Sequence, residues 1–177
     1  MLRGKLRPEL AAELGINQAN FAAVGTHDTA SALAAIPGTG SFAFCSSGTW
    51  SLFGVETDHP ILTDAVRDAG FSNEGNAQGG FCPLSNIMGL WLIQECRRQW
   101  QKQSGPISWV EIVVQARQAE PFRTVIDPCY GEFFAGGRMI EKIQAFARRT
   151  GQPEPQSVGQ IARCIYESLS VLPDCSC

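Results

Sequence analysis

Histidine is almost missing from this 177-residue chain, which carries only His27 and His59. Neither has a second histidine at ligand spacing, so a histidine-built metal centre is not expected. Charge is thin as well: Asp, Glu, Lys and Arg make up 18% of the residues, 14 basic against 17 acidic, for a net charge of -3. No block of Lys or Arg stands out, which argues against a nucleic-acid partner or an anionic membrane surface. No apolar run approaches ~20 residues, the length that spans a bilayer. The opening "MLRGKLRPELAAELG" lacks the apolar stretch of a secretory signal. These absences lead to the expectation of a cytoplasmic protein.

Paired cysteines are lacking too. Cys45, Cys82, Cys96, Cys129, Cys164, Cys175 and Cys177 are an odd, scattered set with no CxxC unit. A structural zinc site is therefore not expected, and buried free thiols are. What remains is ordinary globular composition, 44% hydrophobic, in a chain long enough to bury a core. There are no internal repeats, low-complexity tracts or interdomain linkers.

The pattern along the chain alternates strand-like and helix-like runs. "PELAAELG" reads as a short helix opened by Pro8 and stopped by Gly15. "FAAVG" (21–25) has strand length, and "TASALAAI" continues as a helix until Pro37-Gly38. "SFAFCSSGTWSLFGVE" (41–56) reads as a hairpin turning tightly at Ser47-Gly48. "LTDAVRDAG" is a helix with Thr63 as its cap, and "FSNEGNAQGGF" is strand and loop. A long helix is expected from Ile87 to about Gln103, with Asn86 at its N-cap. "SWVEIVVQARQAE" forms another, with Ser108 and Glu111 in capping-box spacing. "RTVIDP" reads as a strand before the loop "CYGEFFAGG". Helices Arg138–Thr150 and Ser157–Leu169 follow, split by "GQPEPQ". The expectation is an α/β fold with a mixed sheet.

Four places carry chemistry. In Gly25-Thr26-His27-Asp28-Thr29, a carboxylate at a strand's end and a helix's start lies where α/β folds bind ligands. Asp28 could act as general base for a hydroxyl beside His27 and Thr29. Capping of the following helix explains the same aspartate, and spacing alone favours it. "SSGTW" (46–50) offers N–H groups and hydroxyls to an anion, or is merely good turn chemistry. Asn73, Glu74 and Asn76 with Asn86 and Gln94 could bind a polyol, although a loop, a cap and a helix amide account for them more simply. Cys45 with His27 could form a nucleophilic pair, but its neighbours Ala43 and Phe44 favour a buried, inert thiol.

In this order and spacing, "GTHDTASALAAIP", "FCSSGTWSLFGVE", "NEGNAQGG", "NIMGLWLIQECRRQW", "RTVIDP" and "RRTGQPEPQSVGQIARCIYESL" resemble the rhamnulokinase branch of the FGGY carbohydrate kinases. The resemblance runs from about Leu6 to Leu169. It implies an actin-like (ribonuclease H-like) ATPase fold and the C-terminal part of a two-domain sugar kinase, at 1–169, with an aberrant tail at 170–177. By the same matching, Asp28 is the catalytic base for the C1 hydroxyl of L-rhamnulose. His27, Asp28, Thr29 and Asn86 contact the sugar, and Ser47, Gly48, Thr49 and Gln94 the ATP. Mg²⁺ would arrive with the nucleotide. "HDTAS" and "NIMGLW" separate the pattern from glycerol and xylulose kinases, leaving an L-fuculokinase type as the nearest alternative. A non-catalytic binding module is the alternative of a different class. An active site between two domains also implies that this chain alone is inactive. It further implies self-association through an open sheet edge and exposed helix faces at Ile161, Ile165 and Leu169.

Overall fold

The computed structural model describes residues 2–16, 19–22, 27–38 and 40–171. Residues 23–26, which end the expected strand and open the first motif, and the tail 172–177 with Cys175 and Cys177, lie outside the described residues. Strands β1 (Leu2–Lys5) and β2 (Asn20–Ala22) pair antiparallel around helix α1 (Pro8–Glu13), which opens on proline as expected. Helix α2 (Asp28–Leu33) follows and is shorter than the small-residue run suggests.

The main sheet is built from β3 (Ala43–Ser47), β4 (Trp50–Val55), β5 (Phe71–Gly75) and β6 (Phe81–Met88). Its order is β3-β4-β6-β5, and every pair is antiparallel. The expected mixed sheet is thus not found among the described residues. Neighbouring strands β3 and β4, and β5 and β6, are joined by turns too short for the crossover that a parallel pair requires. Helix α3 (Asp64–Asp68), capped by Thr63 Oγ1 on Val66 N–H, lies between β4 and β5 without making them neighbours.

Register assigns side chains to faces. Pairing sets Glu74 opposite Cys82, Leu84 opposite Gly54, Asn86 opposite Leu52 and Phe44 opposite Gly54. Since directly paired residues share a face, these all lie on one side of the sheet. Leu33 of α2 packs there with Phe44, Cys82 and Leu84 to form a small core. Cys45 points the other way and is exposed, correcting the expected buried thiol: alternation on an edge strand outweighs apolar neighbours.

The second half is helical: α4 (Trp91–Ser104), α5 (Trp109–Gln118), α6 (Met139–Arg149) and α7 (Val158–Ser170). Both capping boxes close, Ser108 with Glu111 and Ser157 with Gln160. Leu92, Ile93, Ile112, Met139, Ile143 and Ile161 bury a continuous core with Met88 of β6. Ile161 and Ile165 are buried and Leu169 packs against the same core, so the expected exposed face of α7 is corrected. α5 lies along α7 and covers it. Exposed apolar residues of this helical pair stand instead on α5, with Val110 at 72% and Val114 at 47% exposure.

Two further elements differ from expectation. Residues 87–88 finish strand β6, and α4 begins only at Trp91 with Leu90 as N-cap, so Asn86 is a strand residue and caps nothing. An apolar run that ends a buried strand and one that opens a buried helix look alike in sequence. "RTVIDP" forms no strand, because its backbone partners are side chains. Val125 N–H donates to Gln152 Oε1 and Val125 C=O accepts from Gln152 Nε2, each at 2.8 Å, while Ile126 N–H donates to Ser168 Oγ at 2.9 Å.

Candidate functional site

Asp28 opens α2 as its first helical residue, not as its cap; the cap position belongs to His27, whose side chain makes no capping bond. The capping explanation for Asp28 therefore fails. The carboxylate suits the positive end of the helix, and its Oδ1 accepts the Thr29 N–H at 2.8 Å. The Asp28 side chain is 98% exposed. Thr29 is buried. The His27 ring stands between two carboxylates, with Nε2 3.8 Å from Asp28 Oδ1 and Nδ1 3.7 Å from Glu74 Oε2. Glu74 comes from β5, so a strand distant in sequence completes the group. Nothing local announces that contact, although Glu74 interrupts a run of small and amide residues.

The hairpin turn is held as much by α4 as by its own strands. Gly48 C=O accepts from Leu90 N–H at 2.8 Å, and Thr49 C=O accepts from Trp91 N–H at 3.2 Å. Two of the otherwise unpaired N–H groups at a helix start are satisfied this way, without a side-chain cap. The approach is close enough that a Cβ on Gly89 would lie 2.5 Å from Gly48 O. A glycine between two apolar runs was the signal of this seam. Gly48 N–H donates to Trp50 C=O at 2.8 Å, so it is engaged inside the turn. That removes one N–H from the expected anion cradle, which keeps the hydroxyls of Ser47 and Thr49. Gln94 Nε2 donates to Thr49 Oγ1 at 3.2 Å, so the hydroxyl accepts here and keeps its own proton to donate. Ser47 Oγ meets Ser51 Oγ at 3.5 Å, a contact at the limit of a hydrogen bond.

The expected residues thus fall into two groups, His27-Asp28-Thr29 with Glu74, and Gly48-Thr49 with Gln94. Among the described residues no hydrogen bond or ion pair joins them. Asn86 belongs to neither by contact, but it is exposed on the sheet face that carries Glu74, between buried Leu84 and Met88. The other polyol candidates are structural. Asn73 clamps Ile61 through both its backbone N–H and C=O at 2.9 Å. Asn76 Oδ1 accepts from Gln78 and Gly80 and closes the β5–β6 turn. Cys45 lies on the opposite sheet face from Glu74, the partner of His27, which removes the nucleophilic pair.

Beside the turn, the segment following Tyr130 docks on α4. Trp91 Nε1 donates to Phe133 C=O at 3.3 Å, Gly137 N–H donates to Glu95 at 2.9 Å, and the Phe134 ring lies 6.0 Å from Trp50. Burial raises the Glu95 pKa, but the Gly137 N–H and the Arg98 guanidinium outweigh it and hold the carboxyl below the usual range. Desolvation pushes the Cys164 thiol up to about 12 and that of Cys96 further, so these core thiols stay protonated and inert. Among the described residues no group of three or more His, Cys, Asp or Glu is placed to hold a metal ion, and no helix is long and apolar enough to cross a membrane.

The C-terminal-domain profile of the FGGY family of carbohydrate kinases matches residues 43–171. The chain is 43% identical over 169 residues to a rhamnulokinase of Bacteroides thetaiotaomicron, covering 95% of this chain and 34% of that protein. It is 40% identical over 168 residues to a rhamnulokinase of Oceanobacillus iheyensis, covering 95% of this chain and 35% of that one. A rhamnulokinase of Bacillus subtilis is 38% identical over 170 residues, 96% of this chain and 34% of its own length. The chain therefore spans about a third of the length of these relatives. With most of its residues inside the family profile, the chain belongs to the FGGY family of carbohydrate kinases, in the C-terminal part of that actin-like ATPase fold.

Proposed function

We propose that this chain supplies the sugar-phosphorylating residues of an ATP-dependent kinase that converts L-rhamnulose to L-rhamnulose 1-phosphate. One observation carries the reading: a solvent-facing carboxylate at a helix N-terminus, steadied on one oxygen by its neighbour's N–H, shares the molecule with a turn whose threonine hydroxyl accepts from Gln94 and keeps its own proton to donate. The relatives' names supply the sugar.

A sugar hydroxyl is a weak nucleophile, and its proton must leave as phosphoryl transfer proceeds. Asp28 Oδ1 is taken by Thr29 N–H, so Oδ2 is the oxygen that receives the C1 hydroxyl proton. His27 and Asn86 hydrogen-bond other hydroxyls of the sugar. Thr29 acts through Asp28, since its N–H holds the carboxylate and its side chain is buried. On the nucleotide side, Thr49 donates its hydroxyl to a phosphate oxygen and Gln94 holds that hydroxyl in place. Ser47 adds a second hydroxyl at the strand end, and Gly48 keeps the turn small. Bound Mg²⁺ supplies charge neutralisation on the phosphates. The donor set fits an ion carried by phosphate oxygens, because the described residues offer hydroxyls and amides near the turn and no cluster of ligating side chains.

Asp28, at 98% exposure, has no enclosing wall among the described residues, and positioning of two substrates needs one. The activity is accordingly assigned to the fold in the context of the segments that the relatives carry beyond it. The test is a chimera: residues 2–169 replace the matching third of the Bacillus subtilis rhamnulokinase, and ATP-dependent phosphorylation of L-rhamnulose and L-fuculose is measured. The expected result is transfer to L-rhamnulose in preference to L-fuculose. Asp28→Asn should then lower kcat by about 10²–10⁴-fold, the usual contribution of a general base. A folded chimera with no transfer to either sugar would leave the binding-module reading in its place.

A further inference from the structure

We propose that Glu74 sets the tautomer of His27, placing the ring proton on Nδ1 and leaving Nε2 as a hydrogen-bond acceptor aimed at the substrate side. The proposal rests on the sugar-kinase reading for its use, but not for its geometry. A neutral imidazole carries one proton, and the environment of each nitrogen decides which one holds it. Here each nitrogen faces a carboxylate at nearly equal range, Glu74 Oε2 at 3.7 Å from Nδ1 and Asp28 Oδ1 at 3.8 Å from Nε2. Distance does not choose between them.

Solvation and prior engagement do. The Glu74 side chain is 36% exposed against 98% for Asp28, so water screens the Glu74 charge far less. Asp28 Oδ1 is also occupied by the Thr29 N–H at 2.8 Å, which offsets part of its charge. Both differences favour the proton on Nδ1, toward Glu74. Glu74 is in addition fixed by its strand, paired with Cys82 of β6 in the main sheet, whereas Asp28 stands at the start of a six-residue helix.

The consequence is chemical. With Nδ1 protonated, Nε2 presents a lone pair beside the Asp28 carboxylate, and the two together form an acceptor-only site. A ligand must bring hydroxyl donors to satisfy it. A ligand that presents only acceptors to that side finds two unmatched lone-pair groups. Glu74 thus acts through His27 as a positioning residue for polyol selectivity.

The measurement is a long-range proton–nitrogen correlation spectrum of the ¹⁵N-labelled 177-residue chain, without ligand, at a pH where imidazole is neutral. Only two histidines contribute, so assignment by a His59→Gln variant is direct. The expected wild-type pattern has His27 Nδ1 proton-bearing and Nε2 with a lone pair. Glu74→Ala should invert that ratio, since Asp28 then faces the ring unopposed, while Glu74→Gln, which keeps an acceptor oxygen, should retain most of the wild-type pattern. An unchanged far-UV circular dichroism spectrum and urea midpoint report that each Glu74 variant is folded. A proton on Nε2 in the wild type overturns the proposal whatever the variants do, and so does an unchanged His27 pattern in folded Glu74→Ala. Because no substrate is present, an inactive chimera would sink the kinase reading and leave this result standing. The wrong tautomer would do the reverse.

Discussion

The helical half and the sheet half of this chain protect their apolar side chains very differently. On the helical side Leu92, Ile112, Met139, Ile143 and Ile165 are wholly buried in helices of ten to fourteen residues, two of which, α5 and α7, open with closed capping boxes. On the sheet side the core is Leu33, Phe44, Cys82 and Leu84, and Trp50 and Phe53 remain partly in solvent. Among the described residues β3 has a partner on one edge only. All the candidate residues but Gln94 sit on the sheet side. The lesson is a contrast in burial: the helices enclose a continuous core, and most of the candidate residues lie on short elements with exposed side chains.

The sharpest way to break that comparison is to remove one buried side chain from each half. Ile143→Ala empties a fully enclosed site and should cost about 2–5 kcal/mol. Leu33→Ala lies at the rim of a four-residue cluster, where neighbours can collapse into the gap, and should cost at or below the bottom of that same ~2–5 kcal/mol range. Urea unfolding followed by far-UV circular dichroism and by tryptophan fluorescence gives both values. Equal costs would mean that the two cores are one cooperative unit, and the contrast drawn from burial would lose its energetic meaning.

The seam between the halves is the next place to press. Gly89 lets α4 bring Leu90 and Trp91 N–H onto the turn carbonyls, and an added Cβ meets Gly48 O at 2.5 Å and Trp50 C at 2.8 Å, backbone that cannot rotate aside. Gly89→Ala should cost about 1–3 kcal/mol, the range for forced overpacking. It should also separate Thr49 from Gln94, so that the chimera loses nucleotide affinity while Asp28 chemistry at saturating ATP changes less. A variant as stable as wild type would show that the two halves are not coupled through this contact.

This seam also marks where the sequence was legible and where it was not. Local rules located the capped helices α5 and α7, the cap at Thr63 and the Ser47-Gly48 hairpin, because each depends on residues within a few positions of one another. The motif at His27-Asp28 was visible, but that His27 and not Asp28 holds the cap position showed only in the backbone. Non-local facts escaped. Glu74 reaches His27 across the sheet, Gln152 replaces a strand partner for Val125, and Asn86 belongs to a strand because its pairing with β4 outweighs the helical look of the run after it.

A smaller effect tests whether the docked segment beside the turn is tied to α4 by charge. The Glu95 side chain is only 10% exposed and accepts from Gly137 N–H and Arg98. Burial alone would raise its pKa, yet these partners leave it lowered. A carboxyl whose folded pKa lies below its unfolded value stabilises the fold fully above the unfolded value, and that contribution is lost as pH falls through the folded one. Stability should therefore decline below the ordinary glutamate value of 4.5. Glu95→Gln keeps an acceptor for Gly137 but gives up the charge, so it should be less stable at neutral pH and lose less on acidification. The difference between the two proteins should shrink below 4.5, because a protonated Glu95 and the amide that replaces it are both uncharged. Thermal melts at neutral pH and in acid read this directly. If the gap between variant and wild type stays constant across that range, Glu95 holds Gly137 by hydrogen bonding alone, and the sheet-side site is supported by geometry with no electrostatic share.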